Sequence, residues 1–332
     1  MNELGADKSM KALVLDRYGG AEAFRLAEVP VPEPGPDEVR VHVHASSINS
    51  WDWEIARGDV MARMASPFKP AHAILGGDIA GTVDALGAGV TSLSVGDAVF
   101  GDVTSQHWGG FAEYALARAD ALQRKPAALD FVAAATLPQA GALALEAVAT
   151  RPLGLGRDVL VIGGGGGVGS FAIQLAKLKG ARVTAIDAGR KAGVMERSGA
   201  DIVQSREDTD IYREAAQYDL VVDPVARHGL RPSLGLLKPG GHYAVIGGSI
   251  GALLRIGLLG QVVAPRQDKR TGLVIWRQND TKELAELADR VISGKLTPMI
   301  ERVYPLEEGV AAFEHFGSGN ALGKLVIAPQ PG

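Results

Sequence analysis

The chain has 332 residues, 46% of them hydrophobic and 22% charged, with a net charge of −4 and no cysteine. That length predicts two domains with a substantial core, and the charge excludes the basic footprint of a nucleic-acid binder. Without cysteine there are no disulfides, cysteine–zinc sites or thiol nucleophiles, a composition compatible with the expected cytoplasmic location. Met1–Met10 is polar and charged, so no signal peptide is expected there, and the first nine residues read as a mobile tail. Met10–Leu15 alternates apolar and polar residues and predicts a strand. Pro30–Pro36 is a stiff, turn-rich connection. Over Glu38–Ala45, Val39, Val41 and Val43 share one face and Arg40, His42 and His44 the other, as in a half-buried strand. The two histidines read as a solvated face rather than a metal pair. Gly77–Leu86, Asp97–Phe100 and the run from Gly109 to Tyr114 extend a β-rich first third.

Asp130–Thr150 is rich in alanine and leucine and reads as a helix. Beyond it, strands at Val159–Ile162, Arg182–Ile186, Ile202–Gln204, Asp219–Asp223 and Tyr243–Ile246 alternate with helices. The helices fall at Ser170–Lys179, Lys191–Ser198, near Thr209–Gln217 and at Gly229–Leu237. Such alternation implies right-handed crossovers and a parallel sheet. Gly247–Ala264 is apolar but broken by Arg255 and several glycines. It reads as buried or surface-loop structure rather than a membrane span, and no membrane partner is expected. Thr271–Trp276 predicts a sixth strand, Thr281–Ser293 a helix and Lys324–Ala328 a last strand.

The stretch from Val159 to Ser170 carries the chemistry. An apolar strand ends in glycines and opens into a helix, and Gly164, Gly166 and Gly169 have the G-x-G-x-x-G spacing. Such a turn brings the backbone at Gly164, Gly166, Gly167, Val168 and Gly169 up to a pyrophosphate at the helix N-terminus. Asp187 ends the next apolar run, about 20 positions on, where a carboxylate grips the adenosine ribose. That carboxylate repels a 2′-phosphate and tips the expectation to NADH. Arg190, Lys191 and Arg206 suit the close alternative, NADPH, or belong to a solvated surface. Val225, Gly247, Gly248 and Ser249 follow the fourth and fifth strands of the unit, where ligands of such sheets gather.

Several short segments occur in a distinctive order. They are Ser47-Ile-Asn49 with Asp52 and Arg57-Gly58, then Leu75–Gly81, Val95–Gly101, Gly109–Tyr114 and Ala134–Pro138. The glycine loop, Lys238–Gly241 and Gly323-Lys324 complete the set. With them the chain resembles the medium-chain dehydrogenase/reductase superfamily, in its zinc-free quinone oxidoreductase-like branch. The resemblance implies an α/β fold: a GroES-like β-rich catalytic domain from residues 1–127 and 278–332, with an inserted Rossmann dinucleotide-binding domain at 128–277. It further implies an active site in the cleft and a homodimer paired through the Thr271–Trp276 edge strand. Against the zinc members, Asn49 stands at the first ligand position, Gly77-Asp78 replaces a His-Glu pair, and the cysteine quartet is absent. No metal is expected.

The function implied is an NAD(P)H-dependent, zinc-independent reductase that transfers hydride to a quinone or an α,β-unsaturated carbonyl. A conjugated acceptor places its developing charge on a remote oxygen, which needs only hydrogen-bond donors or solvent. Two alternatives stand beside it: a ketone reductase or alcohol dehydrogenase, and a non-catalytic nucleotide-binding protein on the same fold. By resemblance Asn49 bonds the nicotinamide ribose or the substrate carbonyl; its other reading is a turn cap. Asp52 orients its neighbours or starts a helix. Trp51 and Trp53 wall a substrate pocket or pack in the core. His107 belongs with that pocket and, like Tyr114, is a candidate proton donor. No tyrosine follows Arg57-Gly58, so a tyrosine-assisted enoyl-thioester mechanism is not expected.

Overall fold

A computed structural model describes residues 8–213 and 216–329. The strands are β1 (Ser9–Leu15), β2 (Phe24–Pro30), β3 (Glu38–Ser47), β4 (Asp78–Leu86), β5 (Ala98–Asp102), β6 (Tyr114–Arg118), β7 (Leu122–Arg124), β8 (Asp158–Ile162), β9 (Arg182–Asp187), β10 (Ile202–Ser205), β11 (Tyr218–Asp223), β12 (Leu237–Val245), β13 (Arg270–Leu273), β14 (Ile300–Pro305) and β15 (Lys324–Ala328). The helices are α1 (Ser50–Arg57), α2 (Val60–Ala65), α3 (Phe131–Ala134), α4 (Ala142–Ala149), α5 (Gly167–Leu178), α6 (Ala192–Arg197), α7 (Leu230–Gly235), α8 (Ile250–Val263), α9 (Thr281–Ile292) and α10 (Gly309–Gly317). The expected N-terminal tail lies outside the described residues up to residue 7, and β1 begins at Ser9.

The chain divides into two compact units. The first comprises Met1–Gln139, Gln278–Ala288 and Ile300–Gly332, and the second Ala140–Arg277 and Asp289–Met299. The first unit is built on a sheet ordered β14-β15-β3-β4-β5-β7, with β6 also paired to β3. In β3 the alternation does its expected work: Val39, Val41 and Val43 are fully buried. The opposite face is less wet than alternation suggests. His42 sits 5.1 Å from the Tyr114 ring, and His44 stacks on Phe131 at 4.3 Å. Ile48, Leu75, Phe111, Phe313 and Leu325 join one core cluster in this unit. The late strand β15 runs antiparallel to β3, with Val326 opposite Ser47.

The second unit is a six-stranded sheet ordered β10-β9-β8-β11-β12-β13, with all pairings parallel. Val159, Leu160 and Val161 of β8 and Leu220, Val221 and Val222 of β11 are fully buried, as strands covered on both faces must be. Strand order reverses between β8 and β11, the place where ligands of such sheets bind. α5 leaves β8 there and buries Phe171, Ile173 and Leu175.

Three expectations change. Asp130–Thr150 is not one helix: α3 and α4 are separated by a π-turn over Leu137–Gly141. Pro138 explains the break, because it lacks the amide that an unbroken helix would need. Gly247–Ala264 is not loop but contains α8, whose Ser249 cap accepts the Ala252 N–H at 3.3 Å. One of its glycines serves close packing: a Cβ on Gly260 would stand 2.5 Å from Thr271 Cγ2, whereas one on Gly257 would meet nothing within 4 Å. No helix among the described residues is long and apolar enough to cross a membrane. Near Thr209–Gln217 the described residues form only a short 3-10 turn, Ile211–Arg213; residues 214 and 215 lie outside them.

Candidate functional site

The glycine loop follows β8. Gly163 is left-handed (φ 69°) and turns the chain back toward the sheet. Its amide and that of Gly164 donate to Ile186 O at 2.8 and 3.3 Å. Gly165 N–H donates to Asp187 Oδ2 at 3.1 Å, and Gly166 N–H to Gly163 O at 3.1 Å. These loop amides are therefore spent inside the protein. Gly167, Val168 and Gly169 form the first turn of α5, where amides have no carbonyl one helical turn earlier. They are the donors suited to an anion. The other glycines supply space. A Cβ on Gly169 would lie 2.2 Å from Gly163 O, and one on Gly164 2.9 Å from Ala185 Cβ. On Gly166 the nearest atom would be Gly163 O at 3.4 Å, so that face is open.

Asp187 ends β9 and is buried. Besides Gly165 N–H, it accepts its neighbour Ala188 N–H at 2.7 Å. Lys191 Nζ and Arg206 stand 3.9 and 3.8 Å from its oxygens, so both cations flank this carboxylate. Arg190 is exposed beside it. After β11 and β12, two turns press backbone to backbone: a Cβ on Gly247 would meet Pro224 O at 2.7 Å, and one on Gly248 Val225 O at 2.8 Å. Asp223 holds the first turn through the amides of Val225 and Ala226, at 3.0 and 2.8 Å.

The first unit holds a second constellation, around Asn49. Lys324 Nζ donates to Asn49 Oδ1 at 2.5 Å and to Ile48 O at 2.9 Å. Asn49 Nδ2 donates to Asp78 Oδ2 at 3.0 Å. An ammonium can only donate, so the Asn49 oxygen must face Lys324 and the amide has one orientation. Asp78 Oδ2 also receives Ser47 Oγ–H and Gln139 N–H, each at 3.3 Å, while its Oδ1 is buried without a hydrogen bond. Asp102 accepts from Gln139 Nε2 (3.3 Å), Gln278 Nε2 (2.5 Å) and Thr104 N–H (2.8 Å). Ser47, Asp78 and Asp102 are wholly enclosed, whereas Asn49 and Gln139 keep 7% and 6% of their surface exposed. The cluster thus presents two amides and hides its charges. Burial, reinforced by Asp102, pushes the Asp78 carboxyl well above the usual carboxylate range. Burial likewise lowers the Lys324 ammonium to about 8, against the pull of Asp78.

Asp52 lies one turn into α1, which starts after Asn49. Its two oxygens accept Asn49 N–H at 2.8 Å and Gly76 N–H at 3.0 Å, which ties the helix start to the loop before β4. Burial raises its carboxyl to about 7. Trp51 is 42% exposed and meets buried Trp108 edge-on at 5.5 Å. Trp53 instead stacks on Phe313 at the edge of the core. His107 Nε2 lies 2.5 Å from Glu38 Oε1, and Tyr114 packs on His42. Sequence reasoning singled out Asn49 but gave no site role to its partner Lys324 or to Asp102 and Gln139, which complete the cluster. Lys324 heads β15 and Asp102 ends β5, a charged residue at the end of an apolar strand, whereas Gln139 lies in the π-turn and carries no such signal.

Residues 35–127 match the alcohol dehydrogenase GroES-like domain family, and residues 198–327 the zinc-binding dehydrogenase family. A chloroplast envelope quinone oxidoreductase homolog of Arabidopsis thaliana is 32% identical, over 98% of this chain and 100% of the relative. An NADPH-dependent alkenal/one oxidoreductase of the same plant is 30% identical, over 98% of this chain and 81% of the relative. The structure of a quinone oxidoreductase from Coxiella burnetii superposes with a TM-score of 0.87 at 31% identity, covering 97% of this chain and 100% of the other. The zinc that one family description names would need a set of nitrogen, sulfur or oxygen ligands at fixed geometry. Among the described residues no three histidine, aspartate or glutamate side chains gather as a ligand set. The Asn49–Asp78 corner, moreover, already holds the Lys324 ammonium. With its GroES-like unit, its parallel sheet and these relatives, the chain belongs to the medium-chain dehydrogenase/reductase superfamily, in the quinone oxidoreductase-like branch.

Proposed function

We propose that the chain is an NAD(P)H-dependent reductase of quinones or α,β-unsaturated carbonyl compounds that works without a metal ion. The observation that carries this reading is the Lys324 ammonium on Asn49 Oδ1: the cation of the polar cluster is the chain's own. A conjugated acceptor needs no Lewis acid, and relatives named for quinone and alkenal/one reduction support the choice.

Bound NAD(P)H supplies the hydride. The first-turn amides of α5 hold the pyrophosphate, and Asp187 takes the adenosine ribose hydroxyls, with preference for NADH. The backbone at Val225, Gly247 and Gly248 walls the cofactor, and Ser249 supports that wall by capping α8. Asn49, held in one orientation, bonds the nicotinamide ribose or the acceptor carbonyl. Asp52 acts as a positioning residue by fixing the start of α1. Trp51 offers an exposed aromatic surface to a planar acceptor. The reading includes a cytoplasmic enzyme and a homodimer formed through β13, which has a strand neighbour on one side only among the described residues.

A panel of quinones, enones and saturated ketones, each tried with NADH and NADPH, tests this. We expect cofactor oxidation with at least one conjugated acceptor and none with the ketones. Asn49→Ala should lower kcat/KM about 100-fold. Comparable ketone turnover, or no turnover with any acceptor, would overturn the reading.

A further inference from the structure

The tips of β9 and β10 carry an arrangement that the motif does not explain. The two strands run parallel with Ser205 in register with Asp187. Glu207, two residues past Ser205, folds back so that its Oε2 accepts Gly189 N–H and Ser205 Oγ–H, each at 2.9 Å. Its own amide donates to Ser205 Oγ at 3.2 Å, closing a small ring of hydrogen bonds. Arg206 spans the two carboxylates, 3.8 Å from Asp187 Oδ1 and 3.4 Å from Glu207 Oε1. This side chain therefore sits on the amide, the hydroxyl and the guanidinium that lie beside Asp187.

Those three groups are the donors a phosphate would need. An acidic residue at the end of the second strand of a dinucleotide fold holds the adenosine ribose, so the 2′ position comes to this corner. A 2′-phosphate arriving here meets two carboxylates, a guanidinium shared between them, and two donors already occupied. We propose that Glu207 is a specificity-determining residue: its carboxylate occupies the anion-binding groups beside Asp187 and so turns the cofactor site against NADPH and toward NADH. The inference rests on the dinucleotide reading of the glycine loop. It adds a second carboxylate, from a different strand, to the discrimination expected of Asp187. The Gly189 amide, with help from Ser205, holds the Glu207 carboxyl below the usual range, so it is charged at neutral pH and a standing repellent of phosphate. Replacing the carboxylate with an amide keeps the size and removes the charge. Gly189 N–H, Ser205 Oγ and Arg206 can then turn to a phosphate, for which a guanidinium fork is well shaped.

The test is binding, which needs no knowledge of the acceptor. NADH and NADPH are titrated by nucleotide fluorescence into the full-length wild type, Glu207→Gln and Glu207→Lys, with thermal melts of each. Wild type should bind NADH more tightly. Glu207→Gln should improve NADPH affinity relative to NADH by about tenfold, the worth of a regained charge-assisted hydrogen bond. Glu207→Lys should move the ratio further in the same direction, and its NADPH binding should weaken steeply with added salt. An unchanged ratio in both folded variants, or a wild type that already prefers NADPH, overturns the role of Glu207 while leaving the dinucleotide site in place. Failure of the wild type to bind either nucleotide overturns the reading of the glycine loop and the proposal with it.

Discussion

In the glycine loop the available donors are backbone amides and side chains are missing; around Asn49 the donors and acceptors are side chains, most of them buried and three of them, Asp78, Asp102 and Lys324, of charged type. The loop leaves its first-turn amides uncommitted and keeps a bare face at Gly166, where a Cβ would meet nothing closer than 3.4 Å. The cluster does the reverse. It commits both ends of the Asn49 amide to partners at 3.0 Å or less and leaves little of it exposed. An anion site needs open donors with room in front of them. A site that aims one neutral amide needs that amide's partners fixed, and fixing them here means burying ions. The first is cheap in stability and sensitive to added atoms; the second is costly and sensitive to removed charges.

Five substitutions test that contrast. The largest loss of stability is expected from Lys324→Met, which takes the donor away from both Asn49 Oδ1 and Ile48 O; at about 1–3 kcal/mol for each buried acceptor left unsatisfied, the cost is about 2–6 kcal/mol. Urea unfolding measures it. In a double-mutant cycle Asp78→Asn should recover part of the loss, with a coupling of about 1–3 kcal/mol. Additive losses would show that the two residues do not act together. Gly169→Ala comes next, because its methyl would collide with backbone at Gly163 O. Overpacking of this kind costs about 1–3 kcal/mol, and dinucleotide binding should vanish in a fluorescence titration. Retained binding at wild-type affinity would refute the close-packing role.

Asp52→Asn leaves one of two backbone amides facing an NH2 group, at about 1–3 kcal/mol. Its signature is a pH slope. Burial raises the folded Asp52 to about 7, whereas the unfolded side chain titrates near 4. The folded state therefore holds a proton between those values. This contribution is complete below about pH 4 and is lost as pH rises through 7. Urea midpoints at pH 4.5 and 7.5 should fall further for the wild type than for the variant, and parallel slopes would remove Asp52 as the source. Gly166→Ala is the smallest effect on the fold, within about 0.5 kcal/mol, since its φ of −92° suits any residue. It should nonetheless weaken nucleotide binding, because the methyl enters the open face. Unchanged affinity would move the pyrophosphate elsewhere on the loop.

The two regions were also unequally legible. The glycine loop and Asp187 could be read as a motif because their contacts are short-range: Gly165 and Asp187 are 22 residues apart. The parallel sheet followed from strand–helix alternation. The Asn49 cluster draws on residues 47, 49, 78, 102, 139, 278 and 324, which only sheet topology brings together. Lys324 and Ile48 are separated by 276 positions, and no local pattern spans that distance. Glu207 escaped notice because Arg206-Glu207-Asp208 looks like any solvated turn; only the register of Ser205 against Asp187 gives it a task. The helix α8 was hidden by Gly251, Gly257 and Gly260, whose helix propensity is low; of the three, Gly260 packs tightly, on Thr271.

The position of Lys324 in the chain also bears on how the molecule is made. β3 and β4, which carry Asn49 and Asp78, are synthesised well before β15. Until it docks, Asp78 lacks its cation and β3 lacks its β15 neighbour. The second unit's sheet, drawn from β8 to β13, can close while the end of the chain is still being translated. Domains tend to form as their segments emerge, and pairing between distant segments is slow. The nascent GroES-like unit should therefore wait, half-paired, until β15 arrives. Translation arrested before Lys324 would leave the second unit's sheet complete and β3 without its β15 neighbour.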